Sequence, residues 1–479
     1  MTDVAVVGAG PNGLAAAVIM ARAGLDVTVF ETAPTPGGGA RTLELMEPGH
    51  WHDVCSAVHP MAAASLFFRE FGLDRRIQLL APEVSYGHVI DGAAAAVAYR
   101  DLERTVDGLG ADGAAYRQLM EPLVARTDAL MEFTMDQLLR VPAHPVTAFR
   151  YGIRTLEQGS PAWNLRFKEQ FAPALLTGVA AHTPGGVRRL SSAGAGLMLG
   201  ALAHAVGFPF PAGGSQAIID AMVQDLRAHG GRLETEHRVA SLAELTDARV
   251  VMLDTSPTEF LRLAGGRLPA RYARALRHFK YGPGAAKVDF ILSGPVPWAH
   301  PELRRAGTVH LGGTRQRMAA SERAIARGRH SDDPVILAAQ PAVVDPSRAP
   351  AGRHVLWAYC HVPNGSTRDM EPVITAALER AAPGFTDLVV ESASMSAADY
   401  AAYNPSYVGG DFGTGAVTLP QLAARPVLSP KPWQTPLDGV YLCSAGTPPG
   451  PGVHGMAGYR AAALALQTHY GLAVPPLQP

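Results

Sequence analysis

The sequence predicts an α/β protein in which a domain with a parallel sheet is assembled from separated segments, with an α+β domain inserted between them. Three stretches support this fold class. Residues 3–31 have the order strand, glycine-rich turn, helix and second strand. Residues 82–100 alternate in side-chain character as strands of an antiparallel sheet do. Residues 438–466 return to the order strand, glycine-rich turn and helix, so we expect both chain ends in the first domain.

A glycine-rich turn follows the first apolar strand, Val4–Val7. Gly8 would allow a tight bend, Gly10 would let a pyrophosphate approach the backbone, and Gly13 would let the next helix pack closely on the strand. The N-terminus of that helix offers free N–H groups and a positive dipole end to phosphates. An ordinary glycine-rich turn is the alternative, but strand, helix, second strand and a terminal acid occur in register, which predicts a Rossmann-type dinucleotide site. The candidate cofactor-binding residues of this unit are Gly8, Gly10, Pro11, Asn12, Gly13 and Glu31.

The acid that ends the second strand narrows the choice of dinucleotide. Glu31 is placed to accept hydrogen bonds from an adenosine ribose. An acid at this position disfavours a 2′-phosphate, which leaves FAD or NAD. The chain contains no second complete Gly-x-Gly-x-x-Gly turn followed by an acid. We therefore expect no separate NADPH domain, and FAD, held at both of its ends by the two terminal units, is the favoured cofactor.

The composition argues against several classes of protein. The 479 residues suffice for two or three domains with a large core. Because 41 Lys and Arg residues nearly balance 42 Asp and Glu residues, we expect no nucleic-acid partner. The three cysteines include no Cys-x-x-Cys pair, which argues against a dithiol relay and a zinc knuckle and fits a reduced compartment. The N-terminal apolar stretch is the predicted nucleotide turn, so we expect no signal peptide and a cytoplasmic protein.

Changes of pattern along the chain predict the domain limits. We expect the cofactor domain to comprise residues 1–80, 208–275 and 425–479, and the substrate domain to comprise residues 81–207 and 276–424. Residues 191–207 are apolar, but they are short for a bilayer crossing, rich in glycine and contain a histidine. We expect a buried helix there, and at most a peripheral membrane contact for the whole protein.

Six motifs along the chain carry a resemblance to a known family. They are the Gly-Gly-Gly-Ala-Arg-Thr loop (37–42), Pro-x-Gly-Gly-Ser-Gln-Ala (211–217), Lys-Tyr-Gly-Pro-Gly-Ala-Ala-Lys-Val-Asp (280–289), Trp-Ala-Tyr-Cys-His-Val-Pro-Asn-Gly-Ser (357–366), Asn-Pro-Ser-Tyr-Val-Gly-Gly-Asp (404–411) and Gly-Val-His-Gly-Met (452–456). With these motifs the chain resembles phytoene-dehydrogenase-like FAD oxidoreductases of the flavin amine oxidase and carotenoid desaturase superfamily. More narrowly, it is similar to the group called pyridine nucleotide-disulphide oxidoreductase domain-containing protein 2.

The resemblance implies roles for further residues. Glu31 would bind the adenosine ribose, Arg41 would lie on the pyrophosphate side, and the backbone of Val239 would contact adenine. Backbone N–H groups between residues 446 and 456 would face the flavin pyrimidine, where they would stabilise the negative charge of the reduced ring. The further candidate cofactor-binding residues are Gly38, Gly39, Arg41, Val239, Gly446, Gly452, Val453, Gly455 and Met456.

Two residues are candidates for catalysis. In related amine oxidases a lysine on the strand that corresponds to residues 287–292 reaches flavin N5 through a water, which implies the same role for Lys287. The alternative is a structural lysine paired with Asp289, two residues further on. His454 lies in the turn expected near the flavin. Contact with the flavin and a structural role are the two alternatives for it. His59, Tyr86 and His88 could line the cavity, although a structural role is favoured for them.

The leading functional hypothesis is the removal of a hydride from a mostly apolar small molecule, which leaves a C=C or C=N bond. Electrons would pass to flavin N5 and then to oxygen or another acceptor. One alternative is a flavin-dependent isomerase or cyclase without net redox change. Another is a non-catalytic module that binds lipid or protein on the related fold of Rab GDP-dissociation inhibitors. The sequence leaves a homodimer open.

Overall fold

The computed structural model describes residues 2–479 as two main sheets, two short strand pairs and surrounding helices. The strands are β1 (Val4–Val7), β2 (Val27–Phe30), β3 (Thr42–Glu44), β4 (Trp51–Asp53), β5 (Leu79–Leu80), β6 (Val84–Asp91), β7 (Ala94–Tyr99), β8 (Phe210–Pro211), β9 (Arg232–Glu234), β10 (Val250–Leu253), β11 (Gly284–Leu292), β12 (Thr308–Leu311), β13 (Ile336–Ala339), β14 (His354–Val362), β15 (Val389–Met395) and β16 (Val440–Leu442).

The α-helices cover the faces of these sheets and form a separate cluster beside the cavity described below. They are α1 (Pro11–Arg22), α2 (Pro60–Ala64), α3 (Leu66–Phe71), α4 (Leu73–Arg76), α5 (Leu102–Gly108), α6 (Gly113–Val124), α7 (Thr127–Thr134), α8 (Pro145–Gln158), α9 (Phe171–Ala180), α10 (Leu190–Ala205), α11 (Gln216–Ala228), α12 (Pro257–Ala264), α13 (Ala270–Arg277), α14 (Arg315–Ile325), α15 (Glu371–Ala381), α16 (Phe385–Leu388), α17 (Ala397–Tyr403), α18 (Leu419–Ala423) and α19 (Met456–Ala465).

The first sheet has five parallel strands in the order β16-β10-β1-β2-β9. β1 lies at its centre, and all four of its residues are buried because helices cover both faces of the sheet. Consecutive strands along the chain are not all neighbours, since β9, β10 and β16 join the sheet from distant segments. The expected α/β class, with a Rossmann-type domain assembled from discontinuous segments, is confirmed.

The second sheet has seven strands in the order β15-β11-β14-β13-β12-β6-β7. All its pairs are antiparallel except β12 with β6. Its strands come from residues 84–99 and 284–395, whereas those of the first sheet come from residues 4–30, 232–253 and 440–442. The inserted α+β part is therefore present, while the residues at which one domain passes into the other stay a prediction.

The apolar stretch at residues 191–207 forms most of α10, a helix whose side chains are almost all buried within the protein. His204 lies among them, and both of its ring nitrogens are used: Nε2 contacts the Tyr116 hydroxyl at 2.9 Å and Nδ1 contacts the Tyr99 carbonyl at 2.8 Å. Among residues 2–479, no helix combines the length and the apolar character that a bilayer crossing requires.

Two helices, α1 and α19, pack against the turn after β1 so closely that backbone approaches backbone. Gly13 is in the first turn of α1, and a Cβ there would lie 2.2 Å from the Gly8 carbonyl oxygen. Gly458 is in α19, and a Cβ there would lie 1.9 Å from the Asn12 carbonyl oxygen. Glycine is required at both positions, because backbone atoms cannot move aside as a flexible side chain can. The position of the predicted nucleotide turn therefore depends on both ends of the chain.

We expect Gly458→Ala to destabilise the fold by about 1–3 kcal/mol or more, since it forces α19 away from α1. The matched control is Gly152→Ala in α8, where no atom lies within 4 Å of the new Cβ. That change should stabilise the protein by about 0.5–1 kcal/mol through the greater helix propensity of alanine. Urea unfolding of both variants measures the difference, and equal stabilities would contradict the close contact.

Candidate functional site

A cavity of about 1070 Å³ runs from the carboxyl ends of the parallel strands to the face of the seven-stranded sheet. The residues that follow β1, β2, β10 and β16 line its first part. Residues of β13 and β14 line its far part, and α8 and α10 flank it. Clefts at the carboxyl ends of parallel strands are where dinucleotides and other ligands bind in open α/β sheets.

The predicted nucleotide turn forms one wall of this cavity. Gly8, Gly10, Pro11 and Asn12 line it, and α1 begins there with proline at its first position. Gly13 does not line the cavity and instead contributes the close packing described above. The Gly38 and Gly39 backbone forms the facing loop. The turn thus presents a helix N-terminus to the cavity, as phosphate binding requires.

Glu31 lies at the end of β2, and its carboxylate is held in one orientation. Oε2 accepts from the backbone N–H of Ala9 at 2.9 Å, and Oε1 accepts from the N–H of Ala33 at 2.8 Å. The side chain lines the cavity beside the turn. Val239, which the resemblance assigns to the adenine, is buried and lines the same region. The two residues stand where a ribose and its base would follow a diphosphate bound at the turn.

Arg41 lines the cavity but does not stand free beside the turn. Its Nη2 contacts Oε1 of Glu31 at 3.2 Å, its Nη1 donates to the Tyr403 hydroxyl at 2.8 Å, and its Nε donates to the Thr35 carbonyl at 2.9 Å. The resemblance implied a place on the pyrophosphate side, whereas the structure sets the guanidinium against the carboxylate expected to bind the ribose. A direct contact with a pyrophosphate stays a prediction.

The C-terminal loop before α19 agrees only partly with the implied roles. Gly452 and Val453 line the cavity, whereas Gly446, Gly455 and Met456 do not. The N–H of Gly446 donates to the Ser444 hydroxyl at 3.1 Å, and the N–H of Met456 donates to Nδ1 of His454 at 3.0 Å. Two of the implied donors already have partners within the chain. These two N–H groups shape the loop, and their interpretation as flavin contacts stays a prediction.

His454 is fully buried and does not line the cavity. Its Nε2–H donates to the Gly450 carbonyl at 3.1 Å, while Nδ1 accepts from the N–H of Met456. Burial lowers its pKa to about 4, so the ring is neutral near pH 7. These contacts describe a histidine that fixes the loop between Gly450 and α19. The candidate catalytic role is not supported.

Lys287 likewise lies outside the cavity lining, and its ammonium group is fully paired. Nζ donates to the carbonyls of Asp53 and Val54 at 2.8 and 2.9 Å, and it lies 2.8 Å from Oδ2 of Asp289. Its side chain is 1% exposed. These contacts are those of the structural alternative, because three N–H donors with three partners leave none for a water. The flavin-facing role of Lys287 stays a prediction.

The far part of the cavity has an aromatic wall that the motifs did not predict. Trp357 and Tyr359 alternate along β14 and stack with ring centroids 5.6 Å apart. Phe412 meets Tyr359 edge-on at 5.6 Å, and Tyr407 completes this wall. Aromatic residues at alternate positions of one strand were a signal available in the sequence. Trp357 and Tyr359 pair directly with Asp289 and Lys287 of the neighbouring antiparallel strand, so the buried ion pair lies on the same face of the sheet as the wall, with Nζ of Lys287 5.6 Å from the Trp357 ring centroid.

Histidines at the cavity are neutral. His59 lines it, and its Nε2 contacts the Ser215 hydroxyl at 2.7 Å, while burial lowers its pKa to about 4. His182 also lines the cavity, and burial, with a smaller effect of His361, lowers its pKa to about 3. Tyr86 and His88, which the sequence left as candidates, do not line it.

Four carboxylates line the cavity within the described part of the chain, and three of them belong to its nucleotide end. These three are Glu31, Asp254 and Glu259. The fourth, Asp136, lies 2.7 Å from Arg460 and 3.6 Å from Arg140, so it is already paired. The walls contributed by the seven-stranded sheet carry no carboxylate. The far part of the cavity thus offers aromatic and aliphatic surface without a free negative charge.

Fold and site together define a dinucleotide-binding protein of the Rossmann class with a second, mostly apolar chamber beside the nucleotide site. Residues 6–71 match the model of the NAD(P)-binding Rossmann-like domain. The fold and this domain match together support a flavin or nucleotide cofactor.

Relatives along the whole chain make the class more specific. The chain is 26% identical to the rat (Rattus norvegicus) protein called pyridine nucleotide-disulfide oxidoreductase domain-containing protein 2, over 96% of this chain and 92% of the relative. It is also 26% identical to phytoene dehydrogenase of Streptomyces griseus, over 94% of this chain and 92% of that protein. A putrescine oxidase solved with putrescine bound shares the fold, with a TM-score of 0.57, 17% identity and coverage of 97% and 99%. The resemblance stated from the motifs is confirmed, and the protein is an oxidoreductase.

The contacts of Lys287 predict a structural effect of its removal. Lys287→Met leaves Asp289 buried without its cation, which should destabilise the protein by about 3–5 kcal/mol. Replacing both members of the pair, by Lys287→Met with Asp289→Leu, should recover most of the loss, because no uncompensated charge remains. Urea unfolding of the single and double variants measures both effects. A single variant as stable as the original protein, with slowed flavin reduction or reoxidation, would restore the flavin-facing interpretation.

Proposed function

We propose that this protein is an FAD-dependent oxidoreductase that removes a hydride from an uncharged, mostly apolar small molecule and leaves a C=C or C=N bond. The substrate class is inferred from the far part of the cavity, where the described residues include no unpaired carboxylate. An ammonium group entering this chamber would lose its hydration without gaining a counter-charge. An apolar molecule gains from the same aromatic and aliphatic walls.

The residues at the nucleotide end of the cavity, around the turn after β1, fit FAD. A helix N-terminus and a glycine turn stand at one place in the cavity wall, with an oriented carboxylate beside them. Oδ1 of Asn12 is buried there without a hydrogen-bond partner, which leaves it available to a ligand. The Gly452–Val453 backbone, which precedes α19, also lines the cavity and would hold the other end of the dinucleotide. A ligand held at both ends has to be extended, which favours FAD as the dinucleotide.

Bound FAD would supply the hydride acceptor, and the chain's own residues would prepare the reaction. The turn and Glu31 would hold the nucleotide part. Trp357, Tyr359 and Phe412 would orient the substrate against the cofactor and exclude water from the chamber. The neutral His182 also lines the cavity and adds a polar group there without adding charge. Oxygen or another acceptor would then reoxidise the cofactor.

Replacing Glu31 tests the cofactor assignment. Glu31→Gln keeps the shape of the side chain but loses the charge-assisted hydrogen bonds to the ribose, so FAD affinity should fall about 10- to 100-fold. The control is Glu47→Gln, which changes an exposed carboxylate paired only with His50 and should leave affinity unchanged. Titration of the flavin-free chain with FAD, followed by flavin fluorescence, measures both. Equal affinities of the two variants would contradict the assignment.

Anaerobic mixing of the flavin-loaded protein with test compounds checks the substrate class. Uncharged terpenoid or polyketide-like compounds should bleach the flavin absorbance, whereas alkyl diamines of similar length should not. Rapid bleaching by diamines would contradict the apolar class. Conversion of a compound without bleaching would indicate an isomerase or cyclase, and a purified chain that neither contains nor binds FAD would indicate a binding module.

A further inference from the structure

A second carboxyl group lies inside the nucleotide turn. Asp254 directly follows β10, the neighbour of β1, and its Oδ2 accepts from the N–H of Gly13 at 2.9 Å. A Cβ on Gly10 would lie 2.5 Å from the same oxygen. Asp254 also lines the cavity together with Gly8 and Gly10. Its carboxyl group therefore stands where the turn is expected to receive a diphosphate.

This carboxyl group has no counter-charge. No Lys, Arg or His among residues 2–479 forms an ion pair with Asp254, whereas Glu31, on the other side of the turn, is paired with Arg41. Burial is the main cause that raises the pKa of Asp254 to about 7, and the nearby Glu31 adds to it, while hydrogen bonds from Gly13 and Gly10 act in the opposite direction. The group is therefore close to half protonated near pH 7 in the absence of a ligand.

A bound diphosphate changes this balance. Its negative charges would repel an ionised carboxylate at the same turn, and the low dielectric of the cavity would strengthen the repulsion. A protonated carboxyl group removes the repulsion and adds an O–H donor that a phosphate oxygen can accept. The Oδ2 contact to Gly13 can persist, because the protonated group keeps a carbonyl oxygen as acceptor.

We propose that Asp254 is a diphosphate-binding residue that acts as a neutral carboxylic acid, so that cofactor binding takes up one proton at this site. This inference rests on the proposed function for the presence of a diphosphate ligand, and it adds a linkage between proton and cofactor that the turn alone does not provide. An ionised Asp254 carboxylate would repel the diphosphate and so oppose the attraction that the N-terminus of α1 exerts on it.

The direction of the pH dependence follows from linkage. Well below about pH 7 Asp254 is already protonated, so affinity does not depend on its titration. Above its pKa in the free protein, each binding event must take up a proton, and affinity falls by up to about tenfold per pH unit. The other titratable groups that face this carboxyl are Glu31 after β2 and Cys443 after β16. Burial raises the pKa of Cys443 well above its ordinary value, so it stays a neutral thiol.

Glu259 from α12 lines the same cavity and serves as the control acid. It lies 2.5 Å from Arg262, so its charge is compensated. The first turn of α1, which packs against Asp254, contains Pro11, Asn12, Gly13 and Leu14 and has no titratable side chain. Glu259→Gln should therefore keep the pH dependence of the original protein.

The test is titration of the flavin-free, full-length chain with FAD from about pH 6 to about pH 9, for the original protein, Asp254→Asn and Glu259→Gln. The original protein and Glu259→Gln should lose up to about tenfold in affinity per pH unit above about pH 7. Asp254→Asn imitates the neutral acid and should bind FAD with an affinity that does not change with pH.

Calorimetry of the original protein in two buffers of different ionisation enthalpy, at about pH 8, needs no variant and should show uptake of nearly one proton per FAD. Binding by the original protein without pH dependence or proton uptake would overturn the role of Asp254 and leave the FAD assignment intact. The same slope in Asp254→Asn as in the original protein would also overturn it. No FAD binding at any pH would overturn the proposed function and this inference together.

Discussion

The backbone contact between the first turn and the two helices that pack on it is the constraint on which the rest of the site depends. A Cβ on Gly13 or on Gly458 would lie within 2.2 Å of a carbonyl oxygen, so α1, the turn and α19 form one rigid unit. This unit sets the direction of α1, and with it the place where free N–H groups meet the cavity. The N-terminal segment thus provides the helix N-terminus that faces the cavity, and the C-terminal segment provides α19, the helix that supports it.

A buried polar network fixes the second sheet against this unit. Lys287 on β11, which is paired with Asp289, donates to the carbonyls of Asp53 and Val54 at the end of β4, and the Asp53 carboxylate accepts from Arg348 at 2.7 Å. The burial of Asp53 would raise its pKa, but Arg348 and the hydrogen bonds from Thr42 and Ser215 outweigh it and hold the pKa below its ordinary value. Breaking a buried ion pair costs much free energy of folding. These pairs therefore hold the aromatic wall in a fixed position relative to the turn.

The sequence was sufficient for those features whose cause is local. The strand, turn, helix and acid from Val4 to Glu31 follow from side-chain periodicity and spacing, and the structure has each of these elements. The alternation at residues 82–100 likewise became β6 and β7. Parallel neighbours from distant segments, such as β10 beside β1, agree with the predicted assembly of the first domain from separated segments.

The roles of Lys287 and His454 could not be obtained in the same way. The partners of Lys287 include the Asp53 carbonyl, 234 positions away, and only the folded chain brings them together. His454 is held within its own loop, yet whether a loop histidine faces the cavity depends on which of its nitrogens the backbone takes up. A role for Asp254 could not be predicted, because an acid after an apolar strand carries no functional signal until its neighbouring strand is known.

The central claim is that an extended FAD binds at the nucleotide end of the cavity and an apolar substrate binds in its far part. A structure of the flavin-loaded protein tests this claim most directly. We predict density for the adenosine beside Glu31, for the diphosphate at Gly10 and for the flavin ring between Gly452 and the wall formed by Trp357 and Tyr359. Density for a dinucleotide elsewhere, or for a flavin ring that fills the far chamber and leaves no room for a substrate, would contradict the account.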